Sequence, residues 1–208
     1  MIIKQICIGN QFEGFIESSF SADFNIISSD DNNKGKTIVI QGVLYAMGNE
    51  PPAFPSSFDY KQYIYILQFE ETGQDYWICR KNNEFIIYNN GSLFLAESIS
   101  EFKRYWDKNI FSLPRIMVNS IERIVDPSLL LQLFFVGQDK KSTDNIENRG
   151  LYKKADFYNM IYEIAGLGSI KLNQGELSLA KQKLQNLKEE RSSLIRQHKL
   201  LKSKKHSA

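Results

Sequence analysis

Apolar positions along the chain follow two spacings, and the switches between them mark out its elements. Ile2 to Ile8 (IIKQICI) is rich in β-branched residues. Phe12 to Phe20 answers it across Gly9-Asn10, so a β-hairpin is predicted at the amino end. Asp23 to Ser28 (DFNIIS) is a short apolar run ending in a polar loop, the pattern of a buried strand. Thr37 to Met47 (TIVIQGVLYAM) is apolar on most sides when wound at helical pitch, which predicts a helix buried against a sheet. Gly48-Asn49-Glu50-Pro51-Pro52 stops it.

A β-rich stretch follows. Tyr63 to Phe69, Tyr76 to Arg80, Glu84 to Tyr88 and Ser92 to Leu95 are separated by Glu71-Thr72-Gly73-Gln74, Lys81-Asn82-Asn83 and Asn89-Asn90-Gly91. Turn clusters this short predict an antiparallel meander. Ser100 is the candidate cap of a helix through about Ile110, with Phe102, Tyr105 and Trp106 on one face. Asp126-Pro127 then opens a short helix, DPSLLLQLFF, with Pro at its first position. Lys154 to Gly166 reads as a further amphipathic helix. Leu177, Ala180, Leu184, Leu187, Arg191, Leu194, His198 and Leu201 recur at alternating steps of three and four, a heptad seam. Arg191 and His198 are polar seam positions of the kind that set register or partner. The expected organisation is a body, 1–170, followed by a coiled-coil segment, 171–208, with a basic carboxyl end.

Composition narrows the class without naming a chemistry. At 208 residues, with 42% hydrophobic and 24% charged residues, the chain is long enough for one domain with a core and an appendage. Cys7 and Cys79 read as free thiols of a reducing compartment. The chain has neither a run of about 18 apolar residues nor the pattern of a signal peptide at its start, so the expected location is cytoplasmic, with no membrane partner. The net charge of +2 conceals an asymmetry. From Lys171 onward ten Lys/Arg face three acidic residues, a net of +7, so the first 170 residues carry −5. Such a tail is either a solvated lysine-rich helix surface or a nucleic-acid contact with salt-dependent affinity. The two histidines and two distant cysteines lack the spacing of a zinc site, and no nucleophilic triad is visible.

The loop between Ser28 and Thr37 carries the candidate chemistry. A phosphate-binding loop reads G-x-x-x-x-G-K-[ST] between a buried strand and a helix; its amides and the helix start cradle phosphate, the lysine reaches the β- and γ-phosphates, and the hydroxyl ligates Mg²⁺. Gly35, Lys36 and Thr37 match, but Asp30 stands at the opening glycine. Asp and Asn enter left-handed backbone geometry more readily than other non-glycine residues, at about 1–2 kcal/mol per strained residue. Asp30, Asp31, Asn32 and Asn33 are all of these types. Asp30 and Asp31 must then face away from a triphosphate, and Lys34 adds a compensating charge. A plain polar turn is the competing reading of the same residues.

Taken together, IIKQICIGNQFEGFIESSF, DFNIISSDDNNKGKTIVIQGVLYAMG, the meander, LLLQLFFVGQD and the heptads resemble the N-terminal half of an SMC-type ABC ATPase head, as in the RecF, RecN and SMC families. The resemblance is nearest to bacterial SMC-like AAA family ATPases of DNA repair and antiphage defence. It implies an α/β (α+β) P-loop NTPase N-terminal lobe, Mg-ATP as ligand, and phosphate contacts from Asp30, Asn32, Asn33, Lys34, Gly35, Lys36 and Thr37. It also implies a Q-loop glutamine that contacts Mg²⁺ and the attacking water. Gln138, 102 residues after Lys36, is the matching position, and Thr37 and Gln138 would be the Mg²⁺ ligands. In such proteins the Walker B acidic pair, signature motif and switch histidine follow the returning coiled-coil arm, and none of them occurs in these 208 residues. Hydrolysis would then need a second half or an identical partner head. The other expectation is a non-catalytic β-rich domain with a coiled-coil oligomerisation tail and a silent loop.

Overall fold

The computed structural model describes residues 1–30, 35–50, 54–118, 121–131, 133–134, 154–167, 179, 181–192 and 195. The chain separates into two compact units, Met1–Met160 and Ile161–Ala208. The first is a mixed α and β structure built on six strands: β1 (Ile2–Gly9), β2 (Gly14–Glu17), β3 (Ile64–Glu71), β4 (Gln74–Lys81), β5 (Glu84–Asn89) and β6 (Ser92–Ala96). Their order is β2-β1-β3-β4-β5-β6, and every neighbouring pair is antiparallel. The hairpin and the meander expected from the sequence both form. Their turns carry the backbone that two-residue hairpins need: Thr72-Gly73 and Asn90-Gly91 have positive φ throughout, and Asn82 does at the middle turn.

Alternation then decides which side chains meet. Ile6 and Ile8 of β1, Tyr65, Leu67 and Phe69 of β3, Tyr76 and Ile78 of β4, and Phe85 and Ile87 of β5 are buried on one face. Helix α1 (Lys36–Ala46) lies on that face against β1, β3 and β4. It buries Val39, Gln41, Gly42, Val43, Tyr45 and Ala46, as a helix apolar on most sides must. Gly42 is the point of closest approach: a Cβ there would come within 2.6 Å of Ile8 Cδ1. Helix α2 (Ile99–Asn109) closes the same core, stacking Phe102 on Phe85 at 4.2 Å and Trp106 on Phe69 at 5.6 Å between ring centroids. Such pairs contribute about 0.5–1.5 kcal/mol beyond the area they bury.

Three expectations are corrected. The cap of α2 is Ser98, not Ser100: its side chain accepts the Glu101 N–H at 3.3 Å, while the Glu101 carboxylate accepts the Glu97 N–H at 2.9 Å. A second hairpin, β7 (Arg115–Val118) with β8 (Ile121–Ile124), stands where no element was expected. Asp23 to Ser28 is not a strand and is not buried. It has no ladder pairing, Asn25 bonding back to Ser21 instead; Phe24 and Ile26 are 80% and 77% exposed, and only Ile27 packs on the core. A strand forms where a neighbour supplies its backbone partners, and no described neighbour does so here.

Helices α3 (Pro127–Leu131) and α4 (Lys154–Ile164) form where the sequence places them. Ser128 ties α3 to the loop after α1: its hydroxyl accepts the Glu50 N–H at 2.7 Å and donates to the Gly48 carbonyl at 3.3 Å. In the second unit, residues 181–192 are helical and the seam residues Leu184 and Leu187 are exposed. Leu177, Ala180, Leu194, His198 and Leu201 lie outside the described residues.

Candidate functional site

The site is assembled at the start of α1. Gly35 precedes the helix with φ 81° and ψ 7°, the left-handed region that glycine occupies at no steric cost. Its carbonyl accepts the Ile38 and Val39 N–H groups at 2.9 and 3.2 Å. The first turn holds no acidic residue, so the positive pole of the helix is not neutralised from within. The Lys36 ammonium turns back across the loop and donates to the Ser29 hydroxyl, tying the two ends of the loop together.

A cavity of about 390 Å³ opens beside this turn. Ile8, Phe15, Ile27 and Phe58 give it apolar walls; Ser28, Ser29, Gly35 and Lys36 supply one polar side. Glu13, Glu17 and Tyr63 also line it. The Tyr63 hydroxyl donates to the Glu13 carboxylate, which pushes the phenol pKa up. The Ser19 hydroxyl and N–H both donate to Glu17, holding its pKa below the usual carboxylate range. Each carboxylate therefore has its own donor. The lining still balances one ammonium against two carboxylates, a poorer field for a triphosphate than the loop sequence alone promises. A larger hollow of about 820 Å³ lies over the opposite face of the sheet, lined by Cys7, Ile16, Ile64 and Ile66 among others. It lacks both the loop and the helix start.

The far end of α1 is closed by a residue that sequence reasoning passed over. Arg80 is fully buried at the end of the inward set Tyr76, Ile78, Arg80 on β4. Its guanidinium donates to the Tyr45 carbonyl, to Asn49 O at 3.3 Å and to Asn82 O at 2.8 Å, and pairs with Glu50. It also lies 3.6 Å over the Tyr45 ring and 4.8 Å from that of Phe85. Burial draws its pKa down, opposed by the Tyr45 and Glu50 charges. A cation placed on the last carbonyls of α1 neutralises the negative pole of that helix. An arginine ending an otherwise apolar inward alternation was the sequence signal for it.

No protein-family model matches the chain, and no curated protein does. Of the residues singled out in the sequence, Gly35 and Lys36 line the cavity, while Asp30 and Thr37 are exposed beside it and contribute no lining surface. Asn32, Asn33, Lys34 and Gln138 lie outside the described residues, so the structure neither joins Gln138 to the loop nor parts it from it. Ser29, Glu13 and Tyr63 belong to the site and carry no motif; they reach it through the loop and the packing of β1, β2 and the segment before β3. Among the described residues there is no cluster of three or more His, Cys, Asp or Glu able to hold a metal ion. No described helix is long and apolar enough to cross a membrane.

Proposed function

We propose that this chain is the ATP-binding N-terminal portion of an SMC-like ATPase acting on DNA, needing a second half or a partner head for hydrolysis. One observation carries the reading: a left-handed Gly35 sets Lys36 at the start of a deeply packed helix, with the lysine folded back over its loop beside a cavity. That arrangement fits a phosphate group on its donors, since the first amides of α1 and the Lys36 ammonium are both cationic in effect. Lys36 would exchange Ser29 for phosphate oxygens, and the Thr37 hydroxyl, together with Gln138, would ligate Mg²⁺. Bound Mg-ATP supplies the transferable phosphoryl group. The residues of this chain bind and orient it, and the acidic groups that complete hydrolysis come from elsewhere. The Phe24–Ser28 segment, which joins no strand of the sheet, fits a lobe whose sheet is completed by other strands.

A second reading, a non-catalytic β-rich domain with a coiled-coil tail, is favoured by the two carboxylates in the cavity lining. Calorimetry separates the two. On the ATPase reading the chain binds Mg-ATP and Lys36→Ala weakens binding by at least about ten-fold, the worth of one charge-assisted contact. Equal binding by both chains, or by neither, rejects it. DNA contact through the basic tail would show as an affinity that falls steeply with salt.

A further inference from the structure

The face of the sheet turned away from α1 and α2 is open, and its centre is largely apolar. Direct cross-strand neighbours place Ile16, Cys7, Ile66, Cys79, Ile86 and Leu95 in one row, a residue from each of the six strands. The next row is apolar on three strands, with Trp77, Tyr88 and Leu93, and polar on two, with Gln68 and Gln5. Leu93 and Leu95 are 68% and 55% exposed, and Ile16, Ile86 and Tyr88 are exposed as well. At about 4.8 Å per strand the row runs about 24 Å, and with strands of about 20 Å the face measures roughly 480 Å². Within that face the two rows make an apolar patch of a few hundred Å², a size that is often functional.

The charges that flank the patch identify its occupant. Beyond one edge lie Lys4, Glu70 and Asp75, with the ammonium 2.7 Å and 3.0 Å from the two carboxylates, a net of −1. Beyond the other lie Lys81 and Glu84, paired across β4 and β5, and Lys61, which lines the same hollow as Lys81, a net of +1. The six charges cancel, so the face offers nothing to a polyanion. A two-fold axis running between the two rows, level with Ile78, lays each row on the other row of its copy and turns the −1 edge of one molecule over the +1 edge of the other. We propose that this face is a self-association surface, on which a second copy of the chain stacks sheet to sheet. Face-to-face sheets interdigitate side chains at a spacing of about 10 Å. Two faces together remove about 1,000 Å² from water, at the lower bound for a specific interface, so the dimer is weak and concentration-dependent. It needs neither nucleotide nor the heptads.

Sedimentation equilibrium tests this on the full chain carrying Leu184→Glu and Leu187→Glu, two exposed heptad changes that remove association through the tail. The expected result is a monomer–dimer equilibrium in this background, its Kd raised more than about ten-fold by Leu95→Glu, which buries a carboxylate against an apolar row of the copy. Lys81→Glu, at an exposed position that leaves folding intact, weakens it about two- to five-fold, and adding Asp75→Lys restores it. A heptad-altered chain that stays monomeric at every concentration overturns the proposal. So does a dimer indifferent to a folded Leu95→Glu chain. Should Leu95→Glu fail to fold by circular dichroism, the charge pair decides: no loss with Lys81→Glu, or no rescue by Asp75→Lys, overturns the proposal equally.

Discussion

The two ends of α1 are built in opposite ways. At its carboxyl end the helix is locked: Arg80 binds the Tyr45 and Asn49 carbonyls, Glu50 pairs with that arginine, and Ser128 holds the backbone on either side of Asn49. At its amino end Gly35 and Lys36 face a cavity, the segment 23–28 joins no sheet, and the Lys36 ammonium donates to the Ser29 hydroxyl. The negative pole of the helix is neutralised inside the core, while the positive pole is presented beside a polar wall. Rigidity at one end is what allows the other to stay open without the helix drifting on its sheet. Stability and ligand binding should therefore separate along α1.

The sharpest break in that contrast comes from Arg80→Ala. It strips a buried cation from its carboxylate and from three carbonyls, and unfolding in urea should show a loss of about 3–5 kcal/mol. A loss under about 1 kcal/mol would mean that the closed end is not closed by this residue. Gly42→Val comes next. The added methyl groups drive into Ile8 and Tyr65, and overpacking of this kind costs about 1–3 kcal/mol by the same measurement. Lys36→Ala, at the open end, should leave unfolding within about 0.5 kcal/mol of the parent chain while lowering nucleotide affinity. A large stability loss there would erase the difference between the ends.

The smallest expected effect is one of pH. Hydrogen bonding to Glu13, and then burial, raise the Tyr63 phenol pKa in the folded chain. A folded pKa above the unfolded value of about 10 contributes stability that is complete below pH 10 and is lost as the pH climbs through the folded value. Tyr63→Phe should flatten the alkaline limb of a stability–pH curve and leave the neutral region unchanged. An unaltered alkaline limb would show that the Tyr63–Glu13 bond does not bias folding.

Much of this architecture is legible in the sequence because it is local. Thr72-Gly73 and Asn90-Gly91 dictate tight hairpins, so the meander follows from its turns. The apolar surround of Thr37 to Met47 requires a packed helix, and the break at Gly48 ends it. The start of the site, Gly35-Lys36, is legible for the same reason, as a glycine with a left-handed backbone before a helix. The carboxylates of the cavity are not, because Glu13 and Glu17 reach it from a hairpin 18 or more residues earlier and carry no spacing rule. The β7–β8 hairpin escapes because its strands are four residues each, too short for alternation to stand out.

The sequence by itself determined the meander's turns, the start and stop of α1, and the apolar runs of the meander strands, since each depends on residues within a few positions of one another. Tertiary structure alone decided the rest. Asp23 to Ser28 has the composition of a buried strand, yet strand formation needs backbone partners that composition does not supply. Arg80 reads as the polar end of a strand, and only the arrival of α1 over β4 makes it the anchor of a helix. Apolar residues occupy both faces of the six strands, and the placement of α1 and α2 on one of them is what left the other open.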